Sequence, residues 1–357
     1  MRNLFLLFLI TVFVSFQAFA QEKPLTQAEF VRELYALQKN PAKREVLVEQ
    51  IRKRGIAFEL TSGLRGLIQS KSGDELLRRT LEEAARRREN PIVAALPSEK
   101  EANEVLAKAR EATLAALEDM PDFVVKQQIS RSNSYAKTNN FQSADKLTVA
   151  VSYRASGGEE YRVLAINGMP QPEEKEKPSY LQVGGTTSAG EFVTVLASIF
   201  KPESKAQFAA IDTDTLRGRR SIVYSFVVRR ENSKQRLTSF ETIAQSTISG
   251  YEGRIWVDRE NFRVLRVESI ATEIPEDFPI RAATRTVDYD WVAIGDAKYL
   301  LPLSSDVRLT SRYRSELFES RNEIRFRNYQ KFGTEIRILD DEEIVEETPQ
   351  PEPAKKP

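Results

Sequence analysis

Two aspartates placed two positions apart are the first residues whose types and spacing suggest chemistry. Asp288 and Asp290 lie in a strand-like run from Arg281 to Val292, so both side chains point to one face of that strand, about 7 Å apart. A pair of carboxylates at such a separation is what glycoside hydrolysis requires. Adjacent acids on one strand face are also typical of solvated surface, and the sequence favours that interpretation. We therefore assign no catalytic residue.

The amino-acid composition removes most other kinds of catalytic site. The 357 residues include no cysteine and no histidine, which excludes disulfides, thiol nucleophiles, imidazole metal ligands and Ser-His-Asp triads. Lys and Arg number 53 against 52 Asp and Glu, and the net charge of +1 gives no general attraction to nucleic acid. The composition predicts no metal site, no cofactor and no nucleic-acid partner.

A cluster of arginines at a predicted hairpin turn is a candidate contact for an anion. Arg217, Arg219 and Arg220 surround Gly218 between two strand-like runs. Such a cluster can contact phospholipid headgroups or another polyanion, and a solvated turn is the alternative interpretation. The loop from Gly184 to Gly190 lacks the Gly-Lys-Ser/Thr ending of a P-loop, so it predicts a capped loop or a cavity lid.

The N-terminal residues have the organisation of an export signal. Arg2 precedes an apolar run from Leu4 to Phe16, and Ala18-Phe19-Ala20 places small residues at the positions that a signal peptidase recognises. We expect residues 1–20 to be removed by cleavage between Ala20 and Gln21. This predicts a periplasmic or secreted protein without a transmembrane span in its mature chain, and an uncut signal anchor is the alternative.

Composition and periodicity divide the rest of the chain into four parts. Residues 25–89 show helical periodicity and predict a module of four short helices, followed by a linker over 90–97. Residues 98–339 form the main domain, and residues 340–357 are acidic and proline-rich, which is typical of a disordered tail. The helical module is either a packing bundle or an interaction module for an envelope protein partner.

The main domain begins with a helix and continues as a long series of strands. Ser98 and Glu101 match a capping box before a helix that ends at Pro121. From Phe123 onward apolar residues recur with period two in about eleven strand-like runs joined by turns, with a last candidate run at 334–339. Only one helix clearly interrupts them, Gly190 to Phe200. This arrangement predicts a mainly antiparallel sheet.

The side-chain pattern along two strands predicts that the sheet encloses a cavity. Both faces of Ser221 to Arg229 are partly apolar, whereas Leu317 to Phe326 alternates charged with mainly uncharged positions. A curved sheet whose concave side is closed by the helices Ser98 to Leu117 and Gly190 to Phe200 satisfies both patterns. Aromatic core packing is the alternative role for the aromatic candidates. The candidate cavity residues are Ile222, Tyr224, Phe226, Val228, Phe192, Phe200, Trp256 and Trp291.

The chain resembles the LolA-like superfamily of periplasmic lipoprotein carriers, outer-membrane lipoprotein receptors and lipid-sensing domains of sigma-factor regulators. The resemblance rests on an amphipathic helix that leads directly into Phe123-Val124-Val125-Lys126-Gln127-Gln128, followed by about eleven antiparallel strands with an inserted helix. Four further segments resemble secreted proteins of acidobacterial soil bacteria: Gly184 to Phe192, Thr215 to Arg220, Asp277 to Ile280 and Tyr299 to Leu303. The superfamily resemblance implies an unclosed barrel whose apolar hollow takes acyl chains.

These observations together predict an α+β fold, with a four-helix module followed by a large curved antiparallel half-barrel and covering helices. The predicted function is non-catalytic binding of an apolar or lipidated ligand in the cell envelope, as a carrier or a sensor of lipid or lipidated protein. Two alternatives remain open. One is a carboxylate-dependent hydrolase of envelope polysaccharide, and the other is an adaptor that acts through the helical module.

Overall fold

The chain divides into two compact units, residues 1–94 and residues 95–357. The computed structural model describes residues 23–332 except 73, 92–94, 137, 172–179, 181–182, 184, 193, 240–243 and 314–315. The predicted signal peptide, the acidic tail and the candidate strand at 334–339 lie outside the described residues. None of the helices in the described part of the chain is long and apolar enough to cross a membrane.

The first unit is helical, as its periodicity predicts. Its helices are α1 Gln27–Lys39, α2 Arg44–Arg54, α3 Ser62–Lys71 and α4 Glu75–Glu89. Thr26, Thr61 and Asp74 cap α1, α3 and α4 by accepting hydrogen bonds from backbone N–H groups of the first turn. Apolar side chains from all four helices share one buried core, in which the rings of Phe30 and Phe58 stack with centroids 5.4 Å apart.

The second unit begins with helix α5, Glu99–Glu118, which leads into the first strand. Ser98 caps the helix by accepting a hydrogen bond from the Glu101 backbone N–H at 3.2 Å. The Glu101 carboxylate accepts a hydrogen bond from Arg259 on a distant turn. The capping pattern in the sequence therefore marks the start of the helix, while the glutamate ties the helix to the sheet.

Eleven strands form one open antiparallel sheet, in the order β4-β3-β2-β1-β13-β12-β11-β10-β9-β6-β5. β7 and β8 form a separate hairpin. Because β4 and β5 lie at opposite edges, the sheet is a half-barrel, and the predicted fold class is confirmed. The strands are β1 Phe123–Tyr135, β2 Gln142–Arg154, β3 Gly158–Ile166, β4 Met169–Pro170, β5 Gln207–Leu216, β6 Arg219–Val228, β7 Arg236–Ser239, β8 Gln245–Ile248, β9 Gly250–Asp258, β10 Val264–Thr272, β11 Ile280–Ile294, β12 Ala297–Tyr313 and β13 Glu316–Lys331.

Helix α6 spans Thr194–Phe200 and is shorter than the sequence predicted. The prediction placed its start at Gly190, but Gly190 has a φ of 86°. This left-handed conformation suits glycine and is incompatible with a helical turn, so the helix begins only after the residues that follow it.

One face of the half-barrel carries the buried core, and we call it the covered face. A row of buried cross-strand neighbours crosses it from β2 to β6, and only one member, Ser305, has a small polar side chain. α5 and α6 pack on the part formed by β6, β9, β10 and β11. Phe192 packs on the part formed by β1 and β13. The row consists of Leu147, Ile129, Ile324, Ser305, Val287, Val267, Ile255 and Tyr224.

Candidate functional site

The predicted cavity face of β6 is completely buried against the two helices. Ile222, Tyr224, Phe226 and Val228 are each 0–1% exposed and lie in one apolar cluster with residues of α5 and α6. The Phe226 ring contacts the Tyr251 ring edge-on at a centroid distance of 5.9 Å. This end of the half-barrel is filled by its own side chains.

Hydrogen bonds from two tyrosine hydroxyls connect helices α5 and α6 to this end of the sheet. Tyr224 donates a hydrogen bond to the carbonyl oxygen of Ala102 in α5 at 2.7 Å, and Tyr251 donates one to that of Ser198 in α6 at 2.6 Å. Burial raises the pKa of both hydroxyls above the ordinary value of 10.0. The hydroxyls therefore stay protonated and act as donors.

The two phenylalanines expected to close a single hollow lie in different clusters. Phe200 stacks on Phe208 with centroids 5.7 Å apart and belongs to the cluster under α5 and α6. Phe192 meets Phe123 and Phe326 edge-on, with centroids 5.4 and 5.3 Å away, over β1 and β13. The covered face therefore has two apolar regions.

Neither tryptophan lies in these two apolar regions. Trp256 is 2% exposed and packs with Val223 on the opposite, outer face of the sheet, where its indole N–H donates to Asp214 at 3.0 Å. Trp291 is 40% exposed. The structure therefore does not bring the tryptophans together with Phe226 or Phe192.

Arg217 and the two aspartates considered for catalysis meet in an ion-pair network on the outer face. Asp288 accepts hydrogen bonds from Arg217 at 3.1 Å and from Arg266 at 2.8 Å. Asp290 lies 3.9 Å from Arg217 and is about half exposed. Two guanidinium groups stabilise the charged form of Asp288, so this pair lacks the apolar setting that a glycosidase general acid requires.

The remaining arginines of the predicted anion contact differ in their surroundings. Arg219 donates a hydrogen bond to the buried carboxylate of Asp258, which raises the pKa of the guanidinium. Arg220 is exposed. Arg217 and Arg219 form ion pairs with carboxylates of the chain itself. Of the three arginines, Arg220 is therefore the one at which a headgroup contact can be tested.

A cluster of four tyrosines and two glutamates surrounds Gly190 and Glu191, at the other end of the covered face. β3 alternates so that Glu159 and Tyr161 share a face, and the Tyr161 hydroxyl donates to Glu159 at 2.5 Å. The Gly190 N–H donates to the same carboxylate at 3.0 Å. We call these residues the tyrosine-glutamate cluster: Glu159, Tyr161, Tyr180, Glu191, Tyr289 and Tyr329.

Glu191 is the centre of the cluster and is 0% exposed. One carboxylate oxygen accepts a hydrogen bond from Ser188, and the backbone carbonyl oxygen accepts one from the Tyr289 hydroxyl at 3.2 Å. Burial raises the pKa of each of the four tyrosines, and the nearby Glu191 carboxylate adds to the rise. The cluster therefore combines neutral hydroxyls with carboxylates.

Residues 185–192 reach the central strands through hydrogen bonds to β13. The Asn322 side-chain amide donates to the backbone oxygen of Thr186 at 2.8 Å, and the hydroxyls of Thr186 and Ser320 share a hydrogen bond. Gly185 has a φ of 68°, and a Cβ at this position would come within 2.8 Å of the Arg131 guanidinium. The left-handed backbone conformation at this position therefore favours glycine.

Several polar atoms on the covered face are buried without a hydrogen-bond partner among the residues that the structure describes. They include both side-chain polar atoms of Gln127, Oδ1 of Asn322, Oγ of Ser305 and Oε2 of Glu191. Gln127 is 0% exposed and its cross-strand neighbours are Val149 and Phe326. Donors and acceptors thus stand among apolar side chains, which suits the polar part of an otherwise apolar ligand.

No metal site accompanies these groups in the part of the chain that the structure describes, where no three acidic side chains converge on one point. The site can therefore offer hydrogen bonds, a carboxylate and apolar contact.

Comparison with known proteins found two solved structures that match part of the chain. No protein-family profile and no curated protein matches the chain. A domain from Vibrio parahaemolyticus, described as an outer membrane lipoprotein-sorting protein, is 13% identical over 64% of this chain and 92% of its own, with a TM-score of 0.35. A DUF1329 family protein from Desulfovibrio piger is 8% identical over 64% of this chain and 95% of its own, with a TM-score of 0.33. At this similarity the match says nothing about function, and the likeness to acidobacterial secreted proteins stays a prediction.

Sequence reasoning missed most of the residues of this site. In the sequence, Gln127 belongs to the segment after the first helix of the domain and Glu191 to the segment Gly184 to Phe192, and neither stands out as a binding residue. Two signals were present: a glutamine inside a run of strand residues, and Asn322 on the mainly uncharged side of an alternating strand. Neither signal indicates which strands lie beside β1 or β13 in the sheet.

Proposed function

We propose that this protein binds an amphipathic ligand, an acyl chain with a polar group, on the covered face of its half-barrel in the cell envelope. It acts there as a carrier or sensor without catalysing a reaction. The proposal depends on one observation, the set of buried unpaired polar atoms on Gln127, Asn322, Ser305 and Glu191.

The energetic cost of these atoms is the physical argument. Leaving a buried donor or acceptor without a partner costs about 1–3 kcal/mol, and a leucine at the position of Gln127 would avoid that cost. A fold selected for stability alone would not retain several such groups on one face. In the bound protein, the polar group of the ligand removes this cost by pairing with these atoms. In the free protein, water that the ligand later displaces removes it.

The apolar part of the ligand has a defined neighbourhood. Ile129, Ile324 and Val307 are buried on β1, β13 and β12 beside the unpaired polar atoms. The end of the sheet at β6 is filled by Phe226 and its neighbours, so the ligand region lies over the central strands and β1. The proposed site therefore lies over other strands than β6, which carries Ile222, Tyr224, Phe226 and Val228.

Uptake of a fluorescent fatty acid tests the proposal, with two serine variants of β12. Ser305 lies on the covered face and Ser304 is its neighbour on the opposite face. Ser305→Leu should weaken uptake several-fold, because the larger side chain occupies the ligand region, whereas Ser304→Leu should bind like the wild type. Native mass spectrometry of protein purified from its own envelope should show a bound lipid.

Two outcomes would contradict the proposal. The first is a loss of about 1–3 kcal/mol in the free energy of unfolding of Ser305→Leu, because the larger side chain would overpack a filled core. The second is a wild type that takes up no fatty acid and carries no lipid, which would mean that the covered face is ordinary core. The interaction role of the helical unit stays a prediction.

A further inference from the structure

We propose that the polar group of the ligand is the ammonium group of a lipid headgroup and that the Glu191 carboxylate binds it. This inference rests on the proposed binding function and names the chemical class of the ligand's polar part.

Glu191 is a buried acid without a cation. Its side chain is 0% exposed, and Oε2 has no partner among the residues that the structure describes. In that part of the chain no lysine or arginine forms an ion pair with it. Burying a carboxylate is costly unless a charge or hydrogen bonds compensate it, so a cation brought by the ligand would supply the missing partner.

The aromatic rings around Glu191 favour an ammonium group over a metal ion. Tyr161 and Tyr180 stack with centroids 5.1 Å apart and an interplanar angle of 11°, and Tyr161 is held in place by its hydrogen bond to Glu159. Aromatic faces attract ammonium ions by their quadrupole. Hard metal ions instead require several oxygen ligands, and the described acids do not converge in groups of three.

The charges that surround the cluster agree with a cationic group. Glu159 lies on the same side, with its carboxylate bound to Gly190 N–H and Tyr161. Two positive charges are also near: against the rise caused by burial, the Arg131 guanidinium lowers the pKa of Tyr180 and the Arg285 guanidinium that of Tyr289. Arg131 makes two hydrogen bonds of 2.6 and 2.5 Å to Asp145. A phosphate at Glu191 would meet two carboxylates, whereas an ammonium group would be attracted by both.

The test compares lysophosphatidylethanolamine with lysophosphatidylglycerol of the same acyl chain, as competitors of a fluorescent fatty acid. The two lipids differ in the headgroup amine. We expect the ethanolamine lipid to bind about 30-fold more tightly, which is the size of a desolvated cation–aromatic contact. Free ethanolamine should not compete at the same concentration. If it competes equally well, the site binds small amines and the headgroup assignment is overturned.

Glu191→Gln keeps the shape of the side chain and removes its charge. This variant should lose the preference for the ethanolamine lipid and keep its affinity for the glycerol lipid. Glu160→Gln is the matched control, because Glu160 is exposed and neighbours Glu159 on the opposite face of β3.

The outcomes separate the two proposals. Equal affinity of the wild type for both lipids overturns the ammonium assignment and leaves acyl binding intact. Failure of the wild type to bind either lipid overturns the binding function itself. The wild-type comparison decides the assignment even if Glu191→Gln does not fold.

Discussion

Replacing Gln127 by leucine should make the protein more stable and a poorer binder. Gln127 is 0% exposed, and neither its side-chain nitrogen nor its oxygen has a hydrogen-bond partner in the described part of the chain. Its cross-strand neighbours Val149 and Phe326 are apolar. Leucine has nearly the same volume, so the change removes an unpaired amide without leaving a cavity.

The magnitude follows from the cost of a buried unpaired polar group. At about 1–3 kcal/mol for each such group, Gln127→Leu should raise the free energy of unfolding by about 1–3 kcal/mol. The loss of one hydrogen bond to the ligand, about 0.5–1.5 kcal/mol, should weaken fatty-acid binding by about 2- to 12-fold.

Urea denaturation and fluorescent fatty-acid titration measure the two effects on the same preparation. Gln128→Leu is the control, because Gln128 is the next residue on the other face, is half-buried and has partners of its own. This control should lose stability or stay unchanged, and it should bind normally. A Gln127→Leu variant that is less stable than the wild type by 1 kcal/mol or more would refute the reasoning, because the amide would then be satisfied in the native protein.

Four further predictions follow from other parts of the chain. Phe226→Ala should cost about 3–5 kcal/mol in urea denaturation because its site is filled, and a cost of only 1–2 kcal/mol would point to a hollow; Val223→Ala is the control for ordinary packing. Arg266→Met should cost about 1.5–3 kcal/mol because it removes one of the two arginine partners of Asp288 and leaves Arg217 in place, and the added Asp288→Leu should restore part of the loss. The buried tyrosines have pKa values raised above 10.0, so unfolded tyrosines lose protons first and stability should fall above about pH 10, by up to 1.36 kcal/mol per pH unit for each tyrosine; absorbance at 295 nm should show exposed tyrosines such as Tyr35 and Tyr135 ionising in the native protein and the buried ones only together with unfolding, and ionisation of all tyrosines before unfolding would contradict this. Mass spectrometry of envelope-extracted protein should find Gln21 at the N-terminus, and an intact Met1 would contradict cleavage.

The sequence determined the local structure because local structure depends on neighbouring residues. Thr26, Thr61, Asp74 and Ser98 each cap a helix as their side chains predict. Period-two alternation assigned the strands, and on β13 it also assigned the faces. Asn322, Ile324 and Phe326 are buried there while Glu323 and Arg325 are exposed. The antiparallel nature of the sheet followed from the same signals, whereas the two-residue strand β4 was not predicted.

Local signals were less accurate where backbone conformation or sheet assignment depends on context. The left-handed φ of Gly190 shortened α6, and β7 pairs with β8 in a separate hairpin instead of joining the large sheet. A β-strand signal shows that a segment pairs, but it does not identify the partner.

Only the tertiary structure decided where the candidate site lies. β1 pairs with β13 and β6 with β9, and these pairings join residues far apart in the chain. They place Gln127 beside Phe326 and bring Glu191 to Tyr289. The period of a strand gives the face of a side chain within its own strand, but strand order determines its neighbours. The apolar face of β6 was therefore predictable, whereas the polar cluster at the other end required the folded chain.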